Sequence, residues 1–562
     1  MTGGHIGTLN VDGGDVYGSA RGEAGDRYEM AHFAYANTTE VNINYDSTPE
    51  LTSDIETDYT IPCITGSVHG SGENGYVYGD THVTLNKGLI GHSLYGAGKG
   101  KGTYTKSLNK ITATVTTDNT PAEPVTTPTQ TETTYQADIY SLIAGRVMGN
   151  TYVTMNDGHV GRNVYGGGNM GSVGKGNYAG GNDDYVHDSE IGAAQGYGEK
   201  IDGNLWTENP AANTDAWYFQ NSGKTTVKVL GGTVGYINTD NPEKSMKNEL
   251  PYGNVFGGSA GEAAANIADN PRDLYLYSPA FFSGYVNETD VTIGTSGQET
   301  DADAGKTGKA PRILGSVYGG GQDGHVRRDA KVTVYSGEIG LPYTSTNTET
   351  LGTNLDSPQW MHRGNIYGGG SGITKYRYDF NHDGDYLDVV SYGPDAEHMV
   401  PTKEEDYSTS SGSVTRFTEV NVLGGIIHRN VYGGGSMGSV GAPNMGQNYV
   451  PYKPGQANID GKPANGPGRQ SMNTINIGGG TTMVTIGTPF NSTRGWTYNK
   501  TYGGDVYGAC RGMSTLDPEE FSTSVWTKIT VKNGATIMGN VYGGGDNGAV
   551  KKDTDVRIGE SE

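Results

Sequence analysis

Cysteine, long apolar runs and helical periodicity are nearly absent from this sequence. Two cysteines occur in 562 residues, Cys63 and Cys510, and they lie too far apart for a disulfide framework or a metal-binding motif. No apolar run of about 18 residues is present, so membrane insertion is not expected. No signal peptide is recognisable at the start of the chain, so either the protein is cytosolic or an export signal lies outside this segment. These absences exclude a small disulfide-rich domain and an ordinary helical fold.

Positive charge is also scarce, since 39 Lys and Arg oppose 62 Asp and Glu and leave a net charge of −23. A surface of this sign repels the phosphates of nucleic acids and of anionic lipids, so neither is an expected partner. Phe and Trp are few, with 9 and 5 residues, whereas Tyr occurs 38 times. Tyr suits half-exposed positions, because its ring is apolar and its hydroxyl is polar.

Glycine is abundant, with 92 residues, and it recurs in one short motif. The motif consists of a short polar residue, an apolar residue, an aromatic residue, a glycine and two more small residues. Two classes of the motif alternate strictly along the chain. One class continues as small-x-x-Gly-x-Val, as in Gly168 to Val173, and the other has a glycine two residues further on, as in Ala20-Arg21-Gly22. The apolar residues of the ten copies are Val16, Val68, Leu94, Val164, Val255, Val317, Ile366, Val431, Val506 and Val541.

Segments of alternating polarity lie between the motifs. Their pattern is Thr-x-Val-x-apolar followed by Gly-x-apolar, which is typical of short β-strands. The closest motifs, at Val68 and Leu94, are 26 residues apart, which leaves room for about three such strands. Strands this short bury little alone, but they form a core when each turn of the chain stacks on the last. The sequence therefore predicts an all-β fold, a β-solenoid similar to a parallel β-helix, with long loop insertions.

In such a solenoid the polar position of the motif would form a ladder of side chains, and the aromatic position a stack of rings. With one motif per rung, Tyr165 and Phe256 would be neighbours. The alternation of the two classes leaves a second arrangement open, in which one wide rung holds both classes and Tyr165 neighbours Tyr318. We favour one motif per rung.

The chain divides by composition into three parts. Residues 1–102 are predicted to be N-terminal solenoid repeats, 103–137 a Thr- and Pro-rich insertion or linker, and 138–562 solenoid repeats with long loops. No capping segment is recognisable at either end, and the final half-repeat stops on a strand. Because an uncapped rung offers unpaired backbone groups, we expect end-to-end self-association into filaments, or a longer parent array. The longest predicted loops are 174–222, 263–287, 341–363, 374–417 and 442–471.

One loop has the alternating oxygen ligands that calcium prefers. Its sequence resembles the calcium loops of EF-hands, dockerins and integrin-α repeats, which implies Ca²⁺ as a cofactor. It departs from these families where Leu387 and Val390 replace acidic ligands, and the alternative is a solvated acidic turn. The candidate metal ligands are Asp379, Asn381, Asp383, Asp385 and Asp388.

Other candidate functional residues have a simpler structural interpretation. His69 replaces Tyr at an aromatic position and is expected to be a ring at the solvent edge rather than a catalytic base. Cys510 occupies a position held elsewhere by Gly, Ala or Ser, which indicates a small corner residue. The motif tyrosines are expected to pack on one another. Tyr376, Tyr378 and Tyr386 lie in predicted loops and are more open candidates for stacking on a carbohydrate.

The repeated units, such as Asn163 to Val173 and Asn540 to Val550, resemble very large glycine-rich repeat proteins of the Bacteroidota cell surface, and the architecture is similar to that of parallel β-helix adhesins. The resemblance implies an extracellular or cell-surface protein with an adhesive, scaffolding or fibre-forming role. It is a resemblance of repeat style, so no functional residues carry over from it, and we do not expect an enzyme. The alternative is a polysaccharide lyase or glycoside hydrolase built on a parallel β-helix. Carboxylates clustered with Arg or Lys in one cleft would favour the enzyme.

Overall fold

The structure is a computed structural model. It describes residues 4–7, 14–23, 34–49, 63–118, 125–140, 144–174, 211–212, 217, 220–247, 249–263, 283–377, 405–441, 471–488 and 503–559.

The described chain winds into a β-solenoid with three long parallel sheets. Each turn of the chain, a rung, runs along sheet 1, then sheet 2 and then sheet 3, and sheets 1 and 3 have ten strands each whereas sheet 2 has eight. We number the rungs by their motif, from rung 1 at Val16 to rung 10 at Val541. The predicted all-β solenoid with loop insertions is confirmed.

Sheet 1 is built from the Thr-x-Val segments. Its strands are β3 (Thr39–Asn44), β6 (Thr81–Lys87), β11 (Thr151–Met155), β14 (Lys224–Val229), β20 (Glu288–Ile293), β24 (Ala330–Val334), β29 (Phe417–Val422), β32 (Met472–Ile477), β36 (Trp526–Val531) and β40 (Thr554–Ile558).

Sheet 2 is built from the Gly-x-apolar segments. Its strands are β7 (Leu89–Ile90), β12 (His159–Val160), β15 (Thr233–Val234), β21 (Arg312–Ile313), β25 (Glu338–Ile339), β30 (Gly425–Ile427), β33 (Val484–Ile486) and β37 (Ala535–Ile537).

Sheet 3 carries the glycine motif. Its strands are β1 (Val16–Tyr17), β4 (Val68–His69), β8 (Leu94–Tyr95), β13 (Val164–Tyr165), β18 (Val255–Phe256), β22 (Val317–Tyr318), β26 (Ile366–Tyr367), β31 (Val431–Tyr432), β34 (Val506–Tyr507) and β38 (Val541–Tyr542).

Each motif forms one rung of its own. Tyr165 pairs in register with Phe256, and Phe256 pairs with Tyr318. The arrangement with one motif per rung is therefore confirmed, and the wide rung that would place Tyr165 beside Tyr318 is wrong. Val, Ile and Leu from all three sheets point inward and form one continuous core along the solenoid.

The first Thr of the sheet 1 strands binds the glycine of the motif. Thr81 donates from its hydroxyl to the carbonyl oxygen of Gly96 at 2.6 Å, and Thr151 donates to Gly166 at 2.6 Å. These glycines also lie directly against the next rung, because a Cβ on Gly166 would overlap the carbonyl oxygen of Gly257. The close approach of backbones explains why no other residue occupies this position.

The two motif classes differ in how the chain leaves sheet 3. In even-numbered rungs a tight turn leads at once to a short fourth side, and one non-glycine residue of the turn has a left-handed φ. These residues are Asn74, Met170, Asp323, Met437 and Asn547. In odd-numbered rungs the chain leaves as an insertion and returns to the same side, where Val147, for example, bridges Val77 and Val173. The alternation of classes is thus an alternation of turn and insertion at this one corner of the solenoid. Other insertions leave between sheets 2 and 3, for example between β15 and β18.

The fourth side consists of short paired strands and isolated bridges. Its strands are β2 (Tyr35–Ala36), β5 (Tyr76–Val77), β19 (Tyr285–Val286), β23 (His325–Val326), β35 (Thr523–Ser524) and β39 (Ala549–Val550). Inward residues such as Val77, Val326 and Val414 form a small second apolar cluster behind it.

The insertions contain the remaining elements. The Thr- and Pro-rich segment lies in a long antiparallel hairpin of rung 3, formed by β9 (Thr103–Asp118) and β10 (Val125–Tyr140). The strands before and after it, β8 and β13, pair with each other in sheet 3. The shorter elements are β16 (Met246–Lys247), β17 (Leu250–Pro251), β27 (Lys375–Arg377), β28 (Glu405–Tyr407), the helices α1 (Ser345–Leu351), α2 (Pro358–Met361) and α3 (Pro518–Phe521), and the 3₁₀ helix Pro242–Ser245. Within the described ranges, no helix has both the length and the hydropathy to cross a membrane.

Candidate functional site

The polar position of the motif forms the predicted ladder of side chains. Its oxygen accepts a hydrogen bond from the backbone N–H of the next rung. Ser316 N donates to Asn254 Oδ1 at 2.8 Å, and Asn254 N donates to Asn163 Oδ1 at 2.9 Å. Near the last rung, Asn540 N donates to Asp505 Oδ1 at 2.7 Å. These residues satisfy buried backbone groups at a corner of the solenoid and have a structural role.

The aromatic position forms one stack of ten rings on the outer side of sheet 3. Neighbouring ring centroids are 4.6–5.0 Å apart, and their planes lie within 13° of each other. The rings between His69 and Tyr432 are buried beneath apolar residues of the turns and insertions, such as Met437 and Phe521. The motif tyrosines therefore pack on one another, as predicted, and do not offer their faces to a sugar.

His69 corrects one expectation about this stack. It is only 1% exposed, so it is not a ring at the solvent edge. It lies between Tyr17 and Tyr95, with ring centroids 4.9 and 4.6 Å away. Burial lowers the pKa of His69 to about 3, since the charged imidazolium would lose its hydration there. A neutral ring at pH 7 suits a position inside an aromatic stack.

Two of the stacked tyrosines use their hydroxyls inside the protein. Tyr165 donates to Gln322 Oε1 at 2.5 Å, and Tyr432 donates to Asp546 Oδ2 at 3.3 Å. Burial raises the pKa of both tyrosines well above the ordinary value. The hydroxyls therefore stay protonated and stabilise the turns that cover the stack.

The predicted calcium loop lies outside the described residues. This applies to all five candidate ligands, Asp379, Asn381, Asp383, Asp385 and Asp388, and their role stays a prediction. In the part of the chain that the structure describes, no group of three or more His, Cys, Asp or Glu residues is placed to hold a metal ion.

The remaining sequence candidates are mostly buried. Cys510 is fully buried, its sulfur lies 3.3 Å from Ser524 Oγ, and burial raises the pKa of its thiol, which fits a small corner residue. Cys63 is also fully buried. Of the loop tyrosines, Tyr376 is 4% exposed, and Tyr378 and Tyr386 lie outside the described residues. Tyr376 is therefore not an open candidate for stacking on a carbohydrate.

A hydrogen-bonded relay of the kind found in hydrolytic enzymes lies where the sheet 2 strands of rungs 7 and 8 end. His428 Nε2 lies 2.9 Å from Glu338 Oε1, and His428 Nδ1 lies 2.8 Å from Thr488 Oγ1. A carboxylate only accepts, so His428 donates from Nε2 to Glu338. The Thr488 hydroxyl donates to the backbone carbonyl oxygen of His428 at 3.3 Å. Burial acts to raise the pKa of Glu338, but the hydrogen bond from His428 and the charge of Arg312 outweigh it and lower this pKa.

This relay was not predicted from the sequence, because its members lie on three different rungs. Thr488 is 7% exposed and His428 is 6% exposed, so neither presents a reactive atom to solvent in this structure. Arg312 contacts Glu338 at 2.6 Å and neutralises the carboxylate that would orient a catalytic histidine. The arrangement fits a buried polar network that ties rungs 6 to 9 together.

An exposed cluster of aromatic rings lies on the fourth side of rungs 1 and 2. We call it the aromatic corner and define it as Tyr35, Tyr76 and Tyr78. Tyr35 and Tyr78 are 51% and 52% exposed, whereas Tyr76 is 2% exposed. Strands β2 and β5 place Tyr35 directly opposite Tyr76. In the sequence, Tyr76 and Tyr78 flank the inward-facing Val77. This Tyr-Val-Tyr pattern is the signal that could have identified the surface.

The rings of the aromatic corner hold one another in place. The Tyr35 and Tyr78 centroids are 5.3 Å apart at 72°, and those of Tyr76 and Tyr78 are 5.0 Å apart at 79°. Tyr76 donates from its hydroxyl to the Tyr78 oxygen at 2.9 Å. On the adjacent face of sheet 1, His82 stacks on Tyr152 with centroids 4.6 Å apart. Aromatic rings therefore continue around this edge of the solenoid.

Comparison with known proteins gives no relative for this chain, because no family model, no curated protein and no solved structure matches it.

Proposed function

We propose that this protein is an extracellular structural or adhesive repeat protein, either a scaffold at the cell surface or a subunit of a filament. The observation that carries the proposal is the continuous stacking of ten rungs in register. The motif side chains that would attract a functional interpretation, the polar ladder, the ring stack and Cys510, contact the neighbouring rung. Repeated residues that join each rung to the next make a continuous rod, and such a rod suits a structural role and the display of loops.

The regular exit of the insertions supports a role in display. Insertions leave at the end of sheet 3 in every odd-numbered rung, so their bases are about two strand spacings, or about 10 Å, apart. The surface charge of −23 keeps such a rod hydrated and separates it from anionic surfaces. Binding of Ca²⁺ by residues 379–388 is a further part of the proposal and rests on their sequence alone.

Self-association along the axis is the second part of the proposal. On the outermost described strand of sheet 1, Val556 and Ile558 are 39% and 67% exposed, and the last ring of the stack, Tyr542, is 43% exposed. These groups support stacking of another rung, supplied by a second copy or by a longer array. Repulsion between acidic chains opposes this contact at low salt and is screened at higher salt.

Electron microscopy of the purified chain from low to high salt tests this proposal. We expect single rods at low salt and end-to-end assemblies at higher salt. Ile558→Lys places a charge on the exposed strand and should abolish assembly, whereas Lys551→Glu, also on an exposed residue of this rung, should leave assembly possible. Compact particles without elongation, or assembly that Ile558→Lys does not affect, would contradict the proposal.

A polysaccharide lyase or glycoside hydrolase is the alternative function. The relay of Glu338, His428 and Thr488 is the described arrangement that supports it most directly. Release of new sugar ends from a panel of polysaccharides, lost in His428→Ala and retained in the exposed-site variant Met483→Ala, would establish the enzyme. If no polysaccharide of the panel releases sugar ends, the structural role is the better supported proposal.

A further inference from the structure

The aromatic corner exposes apolar surface that stacking of the rungs does not require. The continuous ring stack on sheet 3 is covered by turns and insertions, but Tyr35 and Tyr78 each leave about half of their surface to solvent. Large exposed aromatic side chains that lie together mark a binding surface more often than single exposed residues do. The nearest counterparts of Tyr78 in the adjacent rungs are Asn37 and Met148, so this surface is local to rungs 1 to 3.

The shape of the corner favours a ligand that lies on the rings rather than between them. Tyr35 and Tyr78 already contact each other edge to face, so no group fits between their rings. An aromatic cage for a cation would need separated ring faces that point at one site. What remains accessible is the outer face and edge of each ring. The apolar C–H face of a pyranose sugar stacks on such rings, while its hydroxyls reach their polar tips.

The hydrogen bond within the aromatic corner does not use the proton of the Tyr78 hydroxyl. Tyr78 accepts from Tyr76, so the O–H of Tyr78 itself remains to donate to a ligand. Because Tyr76 is buried and fixes Tyr78, little side-chain freedom is lost when a ligand binds. Asn37 is exposed beside Tyr35 in the chain and adds an amide that both donates and accepts.

The extent and charge of the surface indicate the class of ligand. Aromatic side chains bury about 150–250 Å² each, so Tyr35, Tyr78, His82 and Tyr152 would together offer about 300–500 Å² even if all four were half exposed. A standard protein interface buries about 800 Å² on each partner, which is well above this area. Asp80, the charged residue between Tyr78 and His82, and the net charge of −23 disfavour an anionic ligand.

We propose that the aromatic corner binds a neutral carbohydrate chain, which lies across the exposed rings of Tyr35 and Tyr78 and continues toward His82 and Tyr152. This inference deepens the adhesive part of the proposed function and rests on it for the setting in which the protein would meet a polysaccharide. The rod itself does not depend on it, since Tyr35 and Tyr78 lie outside the core and the sheet 3 stack.

Affinity electrophoresis of the whole chain tests the proposal. Native gels contain a neutral polysaccharide (hydroxyethyl cellulose, glucomannan or xyloglucan), the anionic polymer polygalacturonate, or no polymer. We expect at least one neutral polymer to retard the protein and polygalacturonate to leave it unaffected. The double variant Tyr35→Ala/Tyr78→Ala should bind at least about tenfold more weakly, because each stacked ring contributes on the order of one tenfold step in affinity.

Matched variants separate binding from folding. Tyr542→Ala removes a tyrosine that is 43% exposed at the other end of the solenoid and should bind like the unmodified chain. If the double variant fails to fold, Tyr35→Ala alone serves as the test, because Tyr35 takes no part in the hydrogen bond between Tyr76 and Tyr78. Small-angle X-ray scattering on the same samples reports whether the rod persists, so loss of the rod and loss of binding are distinguished.

Three results would overturn the proposal. The first is the absence of retardation by every neutral polysaccharide. The second is retardation that the Tyr35 and Tyr78 variants leave unchanged. The third is a concentration-dependent dimer that the double variant abolishes, because this would assign the aromatic corner to a second copy of the chain.

Discussion

At the scale of single residues, the solenoid depends on positions that have no space for a Cβ atom. The first glycine of the motif is such a position, since its Cα faces the carbonyl oxygen of the same glycine one rung further on. The Thr of sheet 1 binds that same carbonyl group from the inside, as Thr225 does with Gly257 at 2.5 Å. The motif glycine and the sheet 1 Thr therefore define the same corner of the solenoid, although they are far apart in the sequence.

Substitution of this glycine should destabilise the fold. In Gly166→Ala the new Cβ would overlap the carbonyl oxygen of Gly257, and rungs 4 and 5 would have to separate. We expect the free energy of unfolding to fall by about 3 kcal/mol, the upper range for overpacking in a core. Urea denaturation measures the change. Gly544→Ala is the control, because nothing lies within 4 Å of a Cβ at that motif glycine; equal losses in both variants would contradict the close-approach argument.

His69 should make stability depend on pH in the acid range. Its folded pKa of about 3 lies below the ordinary value of 6.5, so the unfolded chain binds a proton more readily than the folded chain. Stability is therefore unaffected above about pH 6.5 and decreases as the pH falls from 6.5 toward 3. Relative to His69→Tyr, the unmodified protein should lose about 3 kcal/mol between pH 7 and pH 4. Parallel denaturation curves at both pH values for the two proteins would show that His69 is not buried in the stack.

At the scale of elements, the sequence predicts the strands well and their connections poorly. The Thr-x-Val and Gly-x-apolar patterns identify sheets 1 and 2 because inward and outward residues alternate strictly. The two motif classes were recognised, but their meaning, a tight turn or an insertion, depends on backbone conformation at residues such as Asn74 and Met170. The aromatic corner was missed for a related reason. Tyr76 and Tyr78 have the same spacing whether an insertion covers them or not, and only the fold determines which tyrosine stays exposed.

Removal of the rung 3 hairpin should leave the solenoid intact. The strands that flank it, β8 and β13, pair with each other and not with the hairpin. Replacing residues 103–143 with a four-residue Gly-Ser turn is therefore expected to shift the urea midpoint only slightly, since a shorter loop costs less entropy to close. Circular dichroism and urea denaturation measure the result. Loss of the folded β signal would mean that the hairpin is an integral part of rungs 3 and 4.

Calcium should order the acidic loop if its oxygens bind the ion. Ca²⁺ that binds only the ordered loop protects it by mass action. Proteolysis between Asp379 and Asp388 is expected to slow in millimolar Ca²⁺ and to recover with a chelator. Asp383→Asn/Asp385→Asn should remove the protection, whereas Asp301→Asn, at an exposed carboxylate that pairs with Lys309, should retain it. Equal cleavage rates with and without the ion would favour the solvated acidic turn.

At the scale of the whole molecule, the ten rungs form one rod whose sheets run without interruption. Ten rungs are separated by nine strand spacings, which corresponds to a core about 42–44 Å long, and the insertions widen the rod at more than one corner. The interior is continuous, from the partly buried Val16 to the partly buried Val541. A solenoid resists local unfolding only if each rung contacts the next directly. Both the stability of the rod and the display of its insertions therefore depend on the order of the rungs.

Disulfide trapping across sheet 1 tests that order most directly. Thr226 and Asp290 are outward-facing partners on adjacent rungs, whereas Tyr152 and Asp290 lie two rungs apart. A disulfide needs Cα atoms about 4.4–6.8 Å apart, which one rung provides and two rungs do not. With one motif per rung, Thr226→Cys/Asp290→Cys should form a disulfide under mild oxidation, and Tyr152→Cys/Asp290→Cys should remain reduced. Oxidation of the second pair and not the first would show that alternate motifs are the true neighbours and would contradict the structure described here.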